Sequence, residues 1–202
     1  MPAKELPPPR LSIPSEESLD PAQTALLNAL RSGPRGKSVE IRGPFAVYLH
    51  APAYGQLVQE LGAYCRYSKL VPARLSEFAI LVTAQLWRAQ YEWHMHALHA
   101  EKAGVSPKTI AELRAGRVPK SASKEERAVY DFIKELYRTK RVSNRNYARV
   151  HAVLGDAGIV EFVGILGYYA LVSMTLNVFR MPVPPGAPTP FTEPAIRPGS
   201  GS

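Results

Sequence analysis

From Leu75 to Trp87 the chain is apolar almost all round, with Ser76, Glu77, Thr83 and Gln85 as the only polar side chains. That pattern predicts a helix buried on every side, and Pro72 suits its first turn. Neither Gly nor Pro occurs between Ala73 and Ala103. A helix longer than roughly 25 residues is unusual in a globular domain, so a break is expected near Arg88 to Gln90.

The flanking pattern is helical throughout. Pro21 starts a short helix to Arg31 with Leu26, Leu27 and Leu30 inward, and Ser32-Gly33-Pro34 stops it. A loop of about ten residues with Arg35, Gly36, Lys37 and Gly43 follows. It is long for a compact helical protein and is a candidate to move or to close over something. Pro52 then divides a short helix from a longer one running to Tyr67. After Gly104 come a short helix from Pro107 to Ala115 and a helix opened by the capping pair Ser123 and Glu126, with Val129, Phe132, Ile133 and Leu136 as its apolar stripe. Ser143 caps another helix with Tyr147, Val150, His151 and Leu154 inward, closed by Gly155-Asp156-Ala157-Gly158. Ile159 to Phe179 forms the last. No β-type alternation and no repeat period occurs, so the fold class is all-α.

These elements place a Pro-rich arm over residues 1–20, one helical domain over 21–182 and an extended or disordered Pro- and Gly-rich tail over 183–202. Phe162 to Phe179 is free of charge for eighteen residues, close to a membrane-spanning length. Gly164, Gly167, Tyr168, Tyr169, Ser173, Thr175 and Asn177 make it only moderately apolar, so a buried bundle helix, also able to face a subunit partner, is the expectation. The first thirty residues lack a basic start followed by an apolar block, so no secretory signal is expected.

Charge and cysteine content narrow the setting. A net charge of +8 permits anionic partners. Arg42, Arg66, Lys69, Arg74, Arg88 and Arg114 are dispersed, so a small acid fits better than a nucleic acid. A single cysteine, Cys65, excludes an internal disulfide and points to a reducing, cytoplasmic compartment.

The candidate chemistry lies at the centre of the chain. Glu77 shares a helical face with Ile80, Leu81 and Ala84, where a carboxylate must be paired, hydrogen-bonded or protonated. Glu92, His96 and His99 share a face of the next segment, and a carboxylate and an imidazole one turn apart can share a proton. Glu92 with His96 equally suits a structural pair, and Glu77 could simply brace Arg74. No metal is expected: His94 and His96 point to different faces, and neither the zinc-protease spacing nor paired Glu-x-x-His motifs occur. His151 is expected in the core, and Cys65 as a small buried hydrophobe.

The run Arg74-x-x-Glu77-Phe-Ala-Ile-Leu, then Tyr91-Glu92-Trp93-x-x-His96, the Gly104 turn with Ser106-Pro107, and later Tyr168-Tyr169 and Leu176-Asn177-Val178-Phe179 resembles the carboxymuconolactone decarboxylase family. Alkyl hydroperoxidase D proteins belong to the same superfamily. The resemblance covers roughly Pro44 to Pro182 and implies an alkyl hydroperoxidase D-like helical bundle that assembles as a homo-oligomer, trimer or hexamer. In the peroxidase branch a redox cysteine pair would fall on Ala89 and Glu92, and both thiols are absent here. A thiol peroxidase needs a low-pKa cysteine and usually a resolving partner, so that activity is disfavoured.

The resemblance therefore implies a cofactor-free lyase of decarboxylase type acting on a small carboxylated lactone or related organic acid. Glu77, Glu92 and His96 would be catalytic. Arg74 or Arg88 would receive a substrate carboxylate, and Trp93, Tyr168 and Asn177 would wall the pocket. The alternatives are a non-catalytic oligomeric binding protein on the same scaffold, or a residual peroxidase-like activity. No nucleic acid and no membrane is expected as a partner.

Overall fold

The structure is a computed structural model that describes residues 8–192. Among these residues there are eight α-helices and no strand. They are α1 (Pro21–Ser32), α2 (Gly43–Tyr48), α3 (Pro52–Tyr67), α4 (Ala73–Trp87), α5 (Gln90–Lys102), α6 (Pro107–Arg114), α7 (Lys124–Thr139) and α8 (Asn144–Phe179).

Helix α4 is the axis of the bundle and packs against α5, α6, α7 and α8. Phe78, Ala79, Leu81, Thr83 and Ala84 are fully buried, as expected of a helix without a polar face. Its amphipathic neighbour α7 buries Val129, Phe132 and Ile133, and the Phe132 ring meets Phe162 of α8 edge to face at 5.5 Å. Asp20 with Gln23 and Ser123 with Glu126 form reciprocal capping boxes at α1 and α7.

The expected break falls at Arg88, a non-glycine residue in the left-handed region (φ 50°, ψ 38°), which ends α4 and lets α5 fold back on it. The two helices expected on either side of residues 155–158 are joined: α8 runs from Asn144 to Phe179 with a kink at Gly155, whose φ of 65° only glycine adopts freely. Tyr147 and His151, expected inward, instead lie at the surface. Their rings stack 5.8 Å apart and His151 Nε2 meets Asp156 Oδ1 at 2.8 Å. On this limb Asn146 and Arg149 bond Glu135 and Asp131 of α7, and Val150 is buried.

Beyond the kink α8 is long and apolar enough to cross a membrane by length and composition alone. Its inner face, with Phe162, Ile165, Leu166, Tyr169, Val172 and Leu176, is consumed by the bundle. Val160, Val163, Met174 and Val178 stay exposed on the outer face, beside exposed Leu57, Leu61 and Tyr64 of α3.

The described parts of the arm and tail are bound to the bundle. Arg10 donates from its backbone N–H to the carbonyl of Phe179 and from its guanidinium to that of Val178, so the arm lies on the end of α8. In the tail expected to be extended or disordered, Phe191 is buried: the Gln90 side chain bonds its carbonyl and N–H at 2.7 and 2.9 Å, and Trp93 packs on its ring. The parts of the arm and tail at residues 1–7 and 193–202 lie outside the described residues.

Candidate active site

The reversal at Arg88 sets α5 alongside α4, and two helix faces defined by sequence spacing then meet. Glu77 of α4 and His96 of α5 join through Oε2 and Nδ1 at 2.7 Å. The other ring nitrogen of His96 lies 3.1 Å from Oε1 of Glu92, one turn earlier on α5. Both imidazole nitrogens therefore face carboxylate oxygens. A neutral imidazole has one N–H, so either the ring carries both protons or one carboxyl is protonated. Side-chain exposure is 8% for His96, 5% for Glu92 and 14% for Glu77.

The surroundings hold that proton in place. Burial alone would push the His96 ring toward neutrality, but the charges and hydrogen bonds of Glu92 and Glu77 more than reverse this and raise its pKa to about 9. Glu77 moves the other way: burial opposes its ionisation, yet the bond from His96 and the nearby charges of His96 and Arg66 leave its carboxyl below the ordinary range. Arg66 Nη1 stands 3.6 Å from Glu77 Oε1. Tyr169 sets its ring edge to face on the imidazole at 5.0 Å, and burial drives its hydroxyl pKa far up, so it stays protonated. His99 is the outer neighbour, 5.8 Å from His96 between ring centres, and burial with the charge of Arg66 lowers its pKa.

Glu92 and His96 open onto a cavity of about 400 Å³, a volume suited to a small molecule. Its walls are aromatic and aliphatic, from Phe45, Tyr67, Tyr91, Tyr168, Tyr169 and Val172, with Arg35, Arg42 and Arg66 as cationic groups. The loop between α1 and α2 supplies Arg35, Ser38, Val39, Glu40 and Arg42, so it does close over the site. A wider groove of about 880 Å³ between α7 and the start of α8 holds neither a histidine nor a buried acid.

Of the residues singled out in the sequence, the structure brings together Glu77, Glu92, His96 and Tyr168. Arg74 lies elsewhere: it reaches the start of α7, bonding Glu126 and Ser123 at 2.9 Å each and also Glu125. Arg88 bonds the carbonyl of Thr192 and lies over the Phe191 ring. Trp93 packs on Phe191 away from the cavity, and exposed Asn177 donates to the Trp87 carbonyl, tying α8 to the end of α4. Expectations of substrate contact for these four do not match their placement. The capping carboxylate of α7, Glu126, claims Arg74 instead.

The cavity arginines Arg35 and Arg66 were not singled out for the site. Arg66 closes the last turn of α3, and only the packing of α3 beside α8 aims it inward. Arg35 sits in the loop flagged as a cover, and that was the available signal. Among the described residues no group of three or more His, Cys, Asp or Glu is arranged to hold a metal. Cys65 is buried in α3, and burial, followed by the charge of Glu161, raises its thiol pKa. A thiol held protonated is a poor nucleophile.

Residues 52–135, which contain Glu77, Glu92 and His96, match the carboxymuconolactone decarboxylase family. Similar solved structures include an alkylhydroperoxidase AhpD core, an uncharacterized peroxidase-related protein from Ralstonia eutropha, at 13% identity with a TM-score of 0.72, covering 89% of this chain and 94% of that one. An uncharacterized peroxidase-related protein from Silicibacter is 12% identical with a TM-score of 0.69, covering 90% of this chain and 93% of its own. A protein of unknown function from Agrobacterium tumefaciens, proposed as the antioxidant defence protein AhpD, is 18% identical with a TM-score of 0.61, covering 68% and 95%. At such identities the likeness is one of fold. No curated protein matches the sequence.

Proposed function

We propose, for a chain whose residues 52–135 match the carboxymuconolactone decarboxylase family, that the Glu77–His96–Glu92 group is the acid–base centre of a cofactor-free lyase acting on a small carboxylated lactone or related organic acid. The observation that carries this reading is a buried imidazole with a carboxylate oxygen on each ring nitrogen, at 2.7 and 3.1 Å, opening on a cavity. Such an arrangement keeps a proton available at neutral pH, where an ordinary buried histidine would have lost it.

In the reaction this implies, the bond from carbon to the departing carboxylate breaks and its electron pair stays on that carbon, stabilised by an adjacent carbonyl. Carbon dioxide leaves, and the carbon takes the proton shared by His96 Nε2 and Glu92. Glu77 holds Nδ1 and so fixes the plane of the ring through both states. It is a positioning residue, since His96 stands between it and the cavity. No thiol enters. The Glu92 carboxylate occupies the position where the peroxidase branch would have a sulfur, which speaks against thiol-dependent peroxide reduction even beside relatives titled peroxidase-related.

The exposed apolar stripes, Leu57, Leu61 and Tyr64 on α3 with Val160 and Val163 on α8, support assembly into a trimer or hexamer, and the lone buried cysteine suits a cytoplasmic setting. The test is carbon dioxide release from a panel of carboxylated lactones and β-keto acids, run beside His96→Ala and Glu92→Gln. Both variants should lose at least about a hundredfold in rate. Variants equal to the parent on every substrate turned over would refute the assigned roles. No turnover with a ligand-induced rise in melting temperature would favour a binding protein instead.

A further inference from the structure

Charge accounting within the cavity narrows what it takes. The buried group holds two carboxylates and one imidazole with a proton shared among them, so it carries a charge of −1 wherever that proton sits. Arg66, 3.6 Å from Glu77, balances it. Arg42 pairs with Glu40 at 3.0 Å. Arg35 remains. Its Nη1 donates to the carbonyl of Gln59 at 3.1 Å and to the Gln59 side-chain oxygen at 3.3 Å, and its guanidinium lies 5.3 Å from the centre of the Phe45 ring. Every one of these partners is neutral, and among the described residues no carboxylate forms an ion pair with Arg35. A half-buried guanidinium facing a cavity with neutral partners alone is a receptor for one anionic group, since Arg presents a fork that matches a carboxylate.

Position supports the same conclusion. Arg35 sits on the loop that roofs the cavity, hydrogen-bonded to the side chain of Tyr168, a further uncharged partner in the cavity wall. The chain makes room for it: a Cβ placed on Gly62 would stand 2.0 Å from the Tyr168 hydroxyl and 2.8 Å from Arg35 Nη2. With a side chain at residue 62, neither group could occupy its place. The other two arginines of the lining, Arg42 and Arg66, already face Glu40 and Glu77, and most of the rest is rings and aliphatic groups.

We infer that Arg35 is the carboxylate receptor of this site, and that the cavity selects a ring-bearing or unsaturated monocarboxylate over both its neutral amide and a dicarboxylate. This rests on the acid–base cavity being the substrate site and narrows the substrate class there. A second carboxylate would have to settle among aromatic walls or against Glu92, or take Arg42 or Arg66 from the carboxylate each already meets.

Binding of benzoate, benzamide and phthalate, measured by isothermal titration calorimetry on the full chain at constant ionic strength, tests this without requiring turnover. Benzoate should bind roughly tenfold or more tightly than either analogue, and Arg35→Gln should abolish that preference. Arg35→Lys, which keeps the charge but loses the fork, should recover part of it, and melting curves confirm that both variants are folded. Undetectable benzoate binding, benzamide or phthalate binding as tightly as benzoate, or an unchanged preference in Arg35→Gln would each overturn the inference. Arg35-dependent benzoate binding in a protein that releases no carbon dioxide would refute the lyase reading and leave this one standing.

Discussion

Replacing Glu77 by Gln removes one of the two charges that hold the His96 proton while keeping an oxygen to accept from Nδ1. In the parent the ring's pKa stands at about 9 against an ordinary 6.5, which corresponds to roughly 3 kcal/mol in favour of the protonated ring at about 1.4 kcal/mol per tenfold. That preference is what remains after burial has worked against it, and two carboxylates supply it together. With Glu77 gone, Glu92 alone faces an undiminished burial penalty and the positive charge of Arg66 loses its counter-ion, so the His96 pKa should return to about 6.5 or below. Stability follows the same proton. Because the folded-state pKa is raised, the contribution is complete below about pH 6.5 and lost as pH rises through about 9. Long-range proton–nitrogen NMR spectra of the ring nitrogens report the titration directly, with the His96 signals assigned by their absence in His96→Asn. The reasoning fails if His96 is already neutral at pH 7 in the parent, or if Glu77→Gln leaves its titration unmoved.

Other consequences are simpler to measure. Phe78→Ala, at a fully buried position in α4, should cost about 3–5 kcal/mol in urea unfolding; a loss below about 1 kcal/mol would mean that α4 is not the axis of the core. Arg74→Gln leaves buried Glu126 without its cation and should cost about 1–3 kcal/mol of stability while leaving kcat for carbon dioxide release intact. A large fall in kcat with stability unchanged would restore Arg74 to the site.

Much of this was legible in the sequence for identifiable reasons. Glu92 and His96 lie one turn apart on a helix, so their meeting follows from periodicity alone. The break at Arg88 followed from length, since an uninterrupted helix from Ala73 to Ala103 would be unusual in a compact domain. Glu77 reaching His96 required the family resemblance, because two helices can pack with many pairs of faces. The arginines could not be assigned that way. Whether Arg35, Arg66, Arg74 or Arg88 faces the cavity depends on which partner competes for it, and the capping carboxylate of α7 and the Thr192 carbonyl are not visible from local spacing. His151 shows the opposite case: its stripe is helical, but the ring lies at the surface against Asp156 while Val150 beside it takes the buried position.

The most direct measurement follows the proton itself. Once a substrate is found in the panel, the reaction run in deuterium oxide and followed by proton NMR should place deuterium on the carbon that lost carbon dioxide, in the parent and equally in Cys65→Ser, while His96→Asn forms no product. Full activity in His96→Asn, or its loss in Cys65→Ser, would contradict an imidazole-centred, sulfur-free site.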